Sequence, residues 1–497
     1  MRGAWVVPDL EAGRLRRTLG PWQLTAIGLG STIGSGVFVL TGTVAAHNSG
    51  PALTLALLIA ALGCGLAALC YCEFATMLPV SGSAYSYAHA TLGEGIAWFI
   101  GWNLLLEYML SASAVAVGWS AYITNLFAQL GMHLPASLVN APLRKLESGG
   151  LGLTGAALNV PAVLIVAAMS GLCYVGVRKS AGINTLMVLI KVAIIILFIL
   201  AGARFVNPAL WHPYIPPNAG HFGQFGWSGV FQGAALIFFS YIGFDTASTT
   251  ALEARNPQRD VPLGIMWALV LSAALYVGMA AVLTGMVPYW RLAAEAPVAV
   301  ALDAHPQLLW LGSLVKLGAI VGMTSVILMC LLGQPRILLA MADDGLLPRA
   351  LTRCHPRYQT PHVATVVSGA LAAIVAGLFP LDVLGELISI GILLAFAAVC
   401  LGVLVARRTR PDLPRAFKVP FAPVTCVLGA CVCIVMTLAL PKDTWWRLAI
   451  WTAMGFSVYG LYGYRNSRLR VDRDTDPGPE VRSTPYAAGA SSETSAK

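Results

Sequence analysis

Twelve apolar stretches, each long enough to cross a bilayer, follow one another along this chain with short polar connections between them. A hydrocarbon core of about 30 Å asks for roughly 20 apolar residues per helix, because each residue adds about 1.5 Å. The windows run near 23–46, 52–77, 95–123, 159–177, 184–205 and 228–251. A second set runs near 263–287, 309–341, 362–379, 384–405, 421–440 and 445–463. Of the 497 residues, 57% are apolar and 11% are charged, where soluble domains carry about 25% charge. A soluble fold has no way to cover that much apolar surface. The pattern predicts an all-α polytopic membrane protein with 12 transmembrane helices, and it excludes a secreted, disordered or ordinary cytosolic chain.

The net charge of +9 does not point to nucleic acid, because the basic residues sit in short connections rather than along one face. Arg178 and Lys179, Arg255 and Arg259, Arg349, Arg353 and Arg357, Arg407 to Lys418, and Arg465 to Arg473 all fall on the side of the N-terminus. The positive-inside rule then places both termini in the cytoplasm of a multi-pass protein of the cell (inner or plasma) membrane, with the lipid bilayer as its solvent. Residues 1–22 read as a cytoplasmic segment without a cleavable signal. Residues 472–497, rich in Pro, Ser, Thr and Gly, read as a disordered cytoplasmic tail. The ten cysteines lie mostly inside apolar runs, with no CxxC pair near histidines, and read as small hydrophobes between helices. His133, His212 and His221 stand at irregular spacing in the longer connections 124–158 and 206–227, so neither metal nor cofactor is expected. No HExxH, P-loop or GxSxG pattern occurs, and the glycines from Gly28 fail as a dinucleotide fingerprint because Ile33 stands where the third glycine belongs.

Chemistry concentrates where the spans are interrupted. From Gly28 to Gly36 the first span carries Gly28, Gly30, Gly34 and Gly36 with Ser31, Thr32 and Ser35 at mid-membrane depth. Glycine costs about 1 kcal/mol against alanine in a helix, so this stretch is either a close-packing face or an unwound turn. In the second case a new half-helix begins near Gly36, with bare N–H groups and its positive end toward an anion. Unwound backbone at that depth is tolerated only where it lines a cavity. The sixth span repeats the device from Phe238 to Thr246, where carbonyls suit a cation or ammonium group. Asp245 there is either a functional carboxylate or the cap of a second half-helix. Interrupted spans at the head of two five-helix sets, 23–205 and 228–405, fit an inverted repeat with the site between the halves, helices 11 and 12 (421–463) being additional. Three more intramembrane charges stand out. Lys191 serves a proton or ion function or snorkels, Glu107 is a binding or a structural carboxylate, and Lys316 snorkels.

With these residues in view the chain resembles a known family. Gly28 to Gly42, Pro79 to Tyr87, Phe239 to Asp245, Asn256 to Pro262, Gly333 to Arg336, Asp344 to Pro348 and Arg410 to Pro420 are similar to motifs of bacterial cationic amino-acid transporters, within the amino acid–polyamine–organocation superfamily. The resemblance implies the LeuT-type 5+5 inverted repeat plus two helices, and secondary transport of L-amino acids with protons by alternating access. It implies a substrate carboxylate at Gly34, Ser35 and Gly36, and an ammonium at the carbonyls of Ile33, Phe239, Ser240 and Ile242, with Phe239 as gate. It also implies that Lys191 stands where sodium-driven relatives bind an ion, bracing Gly30 and either Thr324 or Ser325. Asn103 departs from the family, where Asp is common. An exchanger or a polyamine-type permease remains an alternative. A channel lacks a filter or pore-lining ring, and a membrane hydrolase lacks catalytic spacing. The partners expected are a small amino acid, protons and lipid, and no enzyme activity is expected.

Overall fold

The computed structural model describes residues 19–77, 83–145, 150–176, 180–244, 246–249, 254–294, 296–358, 360–409, 411 and 415–468. Residues 1–18, Pro79 to Gly82, Arg178, Lys179, Asp245, Arg410 and the tail 472–497 lie outside the described residues.

The longer helices are α1 Pro21–Thr32, α2 Leu53–Met77, α3 Ser83–Thr91, α4 Glu94–Gln129, α5 Val160–Val175, α6 Ser180–Gly202 and α7 Gly226–Ile237. They continue with α8 Pro257–Met286, α9 Leu309–Asp343, α10 His362–Leu378, α11 Leu381–Thr409, α12 Ala422–Leu438 and α13 Lys442–Val458. Among the described residues seven helical runs are long and apolar enough to cross a membrane. The number is eight if α12 and the run Lys442–Asn466, bent by 109° at their junction, form one span. α5 and α10, with 16 and 17 residues, are apolar but shorter, and at about 1.5 Å per residue they fall below the ~30 Å core. The protein is a polytopic helical membrane protein. A hairpin of β1 Leu143–Lys145 and β2 Leu151–Leu153 pairs antiparallel in the connection that shows no recognisable module in sequence.

Lipid offers no hydrophobic drive between helices, so close approach of small residues holds them together. α1 lies on α8 in this way: a Cβ on Gly28 would stand 2.6 Å from Ala268 Cβ, and one on Gly264 2.7 Å from Leu24 Cβ. α4 and α9, the two longest helices, pack along each other and form the wall against which the first interrupted segment rests, while the second packs on α2.

Candidate functional site

The first interruption falls where α1 stops at Thr32. Ile33 is extended (φ −76°, ψ 99°), and a second helical segment starts at Gly36. The hydroxyls of Ser31 and Thr32 donate to the carbonyls of Ile27 (3.1 Å) and Gly28 (2.8 Å), one turn back in α1. That leaves Ser35, whose Oγ is wholly buried and has no partner among the described residues. The leading amides of the second segment likewise have no partner within their own helix.

The second interruption follows α7. A single turn, Phe238–Tyr241, leads to extended Ile242 (ψ 144°) and to Gly243 at φ +110°. Gly243 holds a left-handed conformation and touches the other break, since a Cβ there would lie 2.7 Å from the carbonyl carbon of Ser31. Gly36 makes the reciprocal contact, with its Cβ position 2.4 Å from Ser240 Oγ and 2.6 Å from Ser240 Cα. The two interrupted segments therefore cross backbone to backbone.

Beside the crossing lies a cavity. Its walls are Gly34, Ser35 and Gly36 from the first break, Phe239, Ile242 and Gly243 from the second, Glu107, Tyr108, Ser111 and Val115 from α4, and Val326, Met329 and Cys330 from α9. The centre of a water can range over about 30 Å³ within it, which suits a water or two but not an amino acid. Of the residues singled out in sequence, the structure brings Gly34, Ser35, Gly36, Phe239, Ile242 and Glu107 to this cavity. Ser240 stands behind Gly36, and the Ile33 carbonyl is turned to Lys191. Asn103 donates to Phe99 O (2.8 Å) in its own helix. Ser111 was not singled out in sequence, although it follows Glu107 by one helical turn, and its buried hydroxyl too has no partner among the described residues.

Lys191 is wholly buried on α6 and does not snorkel. Its Nζ donates to Gly30 O (2.6 Å), Ile33 O (2.9 Å) and Ser325 Oγ (3.1 Å), so it ties the end of α1 to α9. Of the two α9 hydroxyls considered, Ser325 is the partner. Thr324 donates to Ile320 O (2.8 Å) and accepts from Trp119 Nε1 (3.1 Å). Lys316 also does not snorkel. It is buried and paired with Asp303 (3.3 Å), because a short helix, Pro297–Asp303, brings that carboxylate to it.

Two buried carboxylates escape sequence reading because their partners are distant in the chain. Glu386 of α11 meets Arg447 (3.2 Å) and Thr444 (3.2 Å) of α13. Glu73, at the C-terminal end of α2, takes both arms of Arg407 (2.9 and 2.5 Å), the Val419 amide (2.8 Å) and Arg415 (3.4 Å). It thereby pins the basic connection before α12. Removing one side of a buried pair costs about 3–5 kcal/mol. Arg407 keeps 29% of its side chain exposed, so Glu73→Gln is expected at the lower end, about 3 kcal/mol. Thermal unfolding in detergent checks this, and an unchanged midpoint would show the network to be dispensable.

A membrane protein of many helices, with two crossed backbone interruptions beside a small cavity, has the build of a transporter. The amino acid permease family model matches residues 19–459. The chain is 43% identical over 456 residues to the branched-chain amino acid permease BcaP of Bacillus subtilis (strain 168), covering 92% of this chain and 95% of that one. It is 42% identical over 455 residues to the methylthioribose transporter of the same organism, with the same coverage. It is 38% identical over 419 residues to the vacuolar cationic amino acid transporter 2 of Arabidopsis thaliana, covering 84% of this chain and 64% of the relative. The chain belongs to the amino acid permease family, within the amino acid–polyamine–organocation superfamily, and is a transporter rather than an enzyme.

Proposed function

We propose that the protein is a proton-coupled symporter of neutral, aliphatic L-amino acids working by alternating access. The observation that carries the reading is the pair of crossed interruptions, with the buried Ser35 hydroxyl and the leading amides beside the cavity. Amides and a hydroxyl at a half-helix start suit the substrate carboxylate at Gly34, Ser35 and Gly36. Carbonyls of the second break, at Phe239, Ser240 and Ile242, suit the ammonium. Val115, Ile242, Val326 and Met329 give the cavity an apolar wall, and a relative of 43% identity is described as a branched-chain permease. The architecture we infer is twelve spans in a LeuT-type 5+5 repeat plus two helices, both termini cytoplasmic, with Asp245 as cap or binding carboxylate. Proteoliposomes with an inside-alkaline pH gradient test the reading. Labelled leucine should accumulate and a protonophore should release it. Uptake that requires internal amino acid and ignores the gradient would establish exchange instead.

One observation favours a second reading, cationic substrates: the Glu107 carboxylate is part of the cavity wall. A charge-assisted hydrogen bond is about twice as strong as a neutral one. On that reading Glu107→Gln lowers lysine and arginine uptake about tenfold more than alanine uptake. Equal losses in competition assays would make Glu107 structural.

A further inference from the structure

We propose that Gly333 sets the size of substrate side chain the site accepts, acting through the ring of Tyr108. The inference rests on the cavity being the amino-acid site. Val326, Met329 and Cys330 bring α9 to the cavity, and Gly333 continues their stripe at helical spacing, seven, four and three residues on. A side chain at that position would project toward α4. The Tyr108 ring occupies its place instead: a Cβ on Gly333 would lie 2.4 Å from Cε1, 3.0 Å from Cδ1 and 3.2 Å from Cζ. Carbon atoms at rest stand about 3.5–4.0 Å apart. The ring therefore lies with Cε1 against bare backbone, and it also lines the cavity. Gly333 is thus a positioning residue whose missing side chain holds the ring back from the substrate.

A methyl group at position 333 moves the ring by about 1 Å to restore contact and, on this proposal, into the cavity that the ring lines. The space there, about 30 Å³ for water centres, cannot absorb the shift without loss of substrate volume. Discrimination by one methylene in an apolar pocket is worth about 10–200-fold. Gly333→Ala is expected to lower the ratio of Vmax/KM for leucine over alanine by about tenfold or more. Tyr108→Leu, which removes the ring, is expected to raise phenylalanine uptake relative to leucine, and Gly333→Ala with Tyr108→Leu to return the leucine-to-alanine ratio toward the wild-type value.

The test is uptake of labelled alanine, leucine and phenylalanine into proteoliposomes, with each variant checked for a monodisperse profile in detergent. Mere structural damage lowers all three substrates together, and that result overturns the inference, as does an unchanged ratio in a well-folded Gly333→Ala. Should Gly333→Ala fail to fold, Tyr108→Leu decides alone, and an unaltered phenylalanine-to-leucine ratio there overturns the inference. No amino-acid uptake by the wild type would overturn the reading of the site and the inference with it. Wild-type uptake with unmoved variant ratios overturns the inference only.

Discussion

In Lys191→Ala, amino-acid accumulation is expected to stop following an imposed pH gradient, while substrate binding stays within about tenfold of wild type. The reason is donor arithmetic. An ammonium carries three N–H donors, and the three acceptors around Nζ are Gly30 O, Ile33 O and Ser325 Oγ. Release of a proton leaves two donors and turns a lone pair toward one of those oxygens. On the proposed coupling, the tie between the end of α1 and α9 then weakens and frees the interrupted segment to move. Alanine removes the tie in every protonation state, so the proton no longer has a conformation to favour. The carboxylate site proposed at Gly34, Ser35 and Gly36 follows Ile33 in the chain and is expected to keep its geometry in part. Binding is measured by displacement of labelled leucine in detergent, and coupling by gradient-driven uptake in proteoliposomes. Accumulation in Lys191→Ala that still tracks the gradient would show the lysine to be structural.

Gly36→Ala is expected to abolish uptake, by about a hundredfold or more, in a protein that still inserts and purifies. The methyl group would meet Ser240 at 2.4–2.6 Å, more than 1 Å inside contact distance, and backbone is the obstacle. Overpacking of this kind costs about 1–3 kcal/mol in stability, which an apolar span tolerates. The site does not, because a displacement near 1 Å in a binding constellation is worth about a hundredfold in rate. Gly34→Ala provides the contrast. Its Cβ would stand 3.1 Å from a Val326 methyl, a side chain that can give by a few tenths of an ångström. A partial loss there, beside a complete loss at Gly36, would locate the sensitivity at the crossing. Near-normal uptake by Gly36→Ala would remove the crossing from the mechanism.

The membrane class, the two interruptions and the presence of Lys191 and Glu107 inside apolar runs were legible in the sequence, because each is a local matter. Apolar run length is read residue by residue. A glycine- and hydroxyl-rich stretch inside such a run, or a lysine among Leu189, Ile190 and Val192, conflicts with its immediate neighbours. What those residues meet was legible only in part. Both Thr324 and Ser325 offer a hydroxyl, and a rotation of about 100° along α9 separates them. Only the packing of α6 against α9 turns Ser325 to Lys191 and Thr324 to Trp119.

By itself the sequence determined that this chain lives in a bilayer, that its backbone breaks at two places where breaks are costly, and that buried charges must be accommodated there. The tertiary structure decided the rest, because contact in space joins residues that sequence distance separates. It set Gly36 on Ser240 and Gly243 on Ser31, so that the breaks cross. It joined Glu73 to Arg407, 334 residues away, and gave Lys316 a partner in Asp303 where chain position suggested only the interface. It placed the Tyr108 ring on the bare backbone of Gly333. None of these pairings has a local signature, because a buried charge or a missing side chain shows in the sequence as a demand, and only close packing names what meets it.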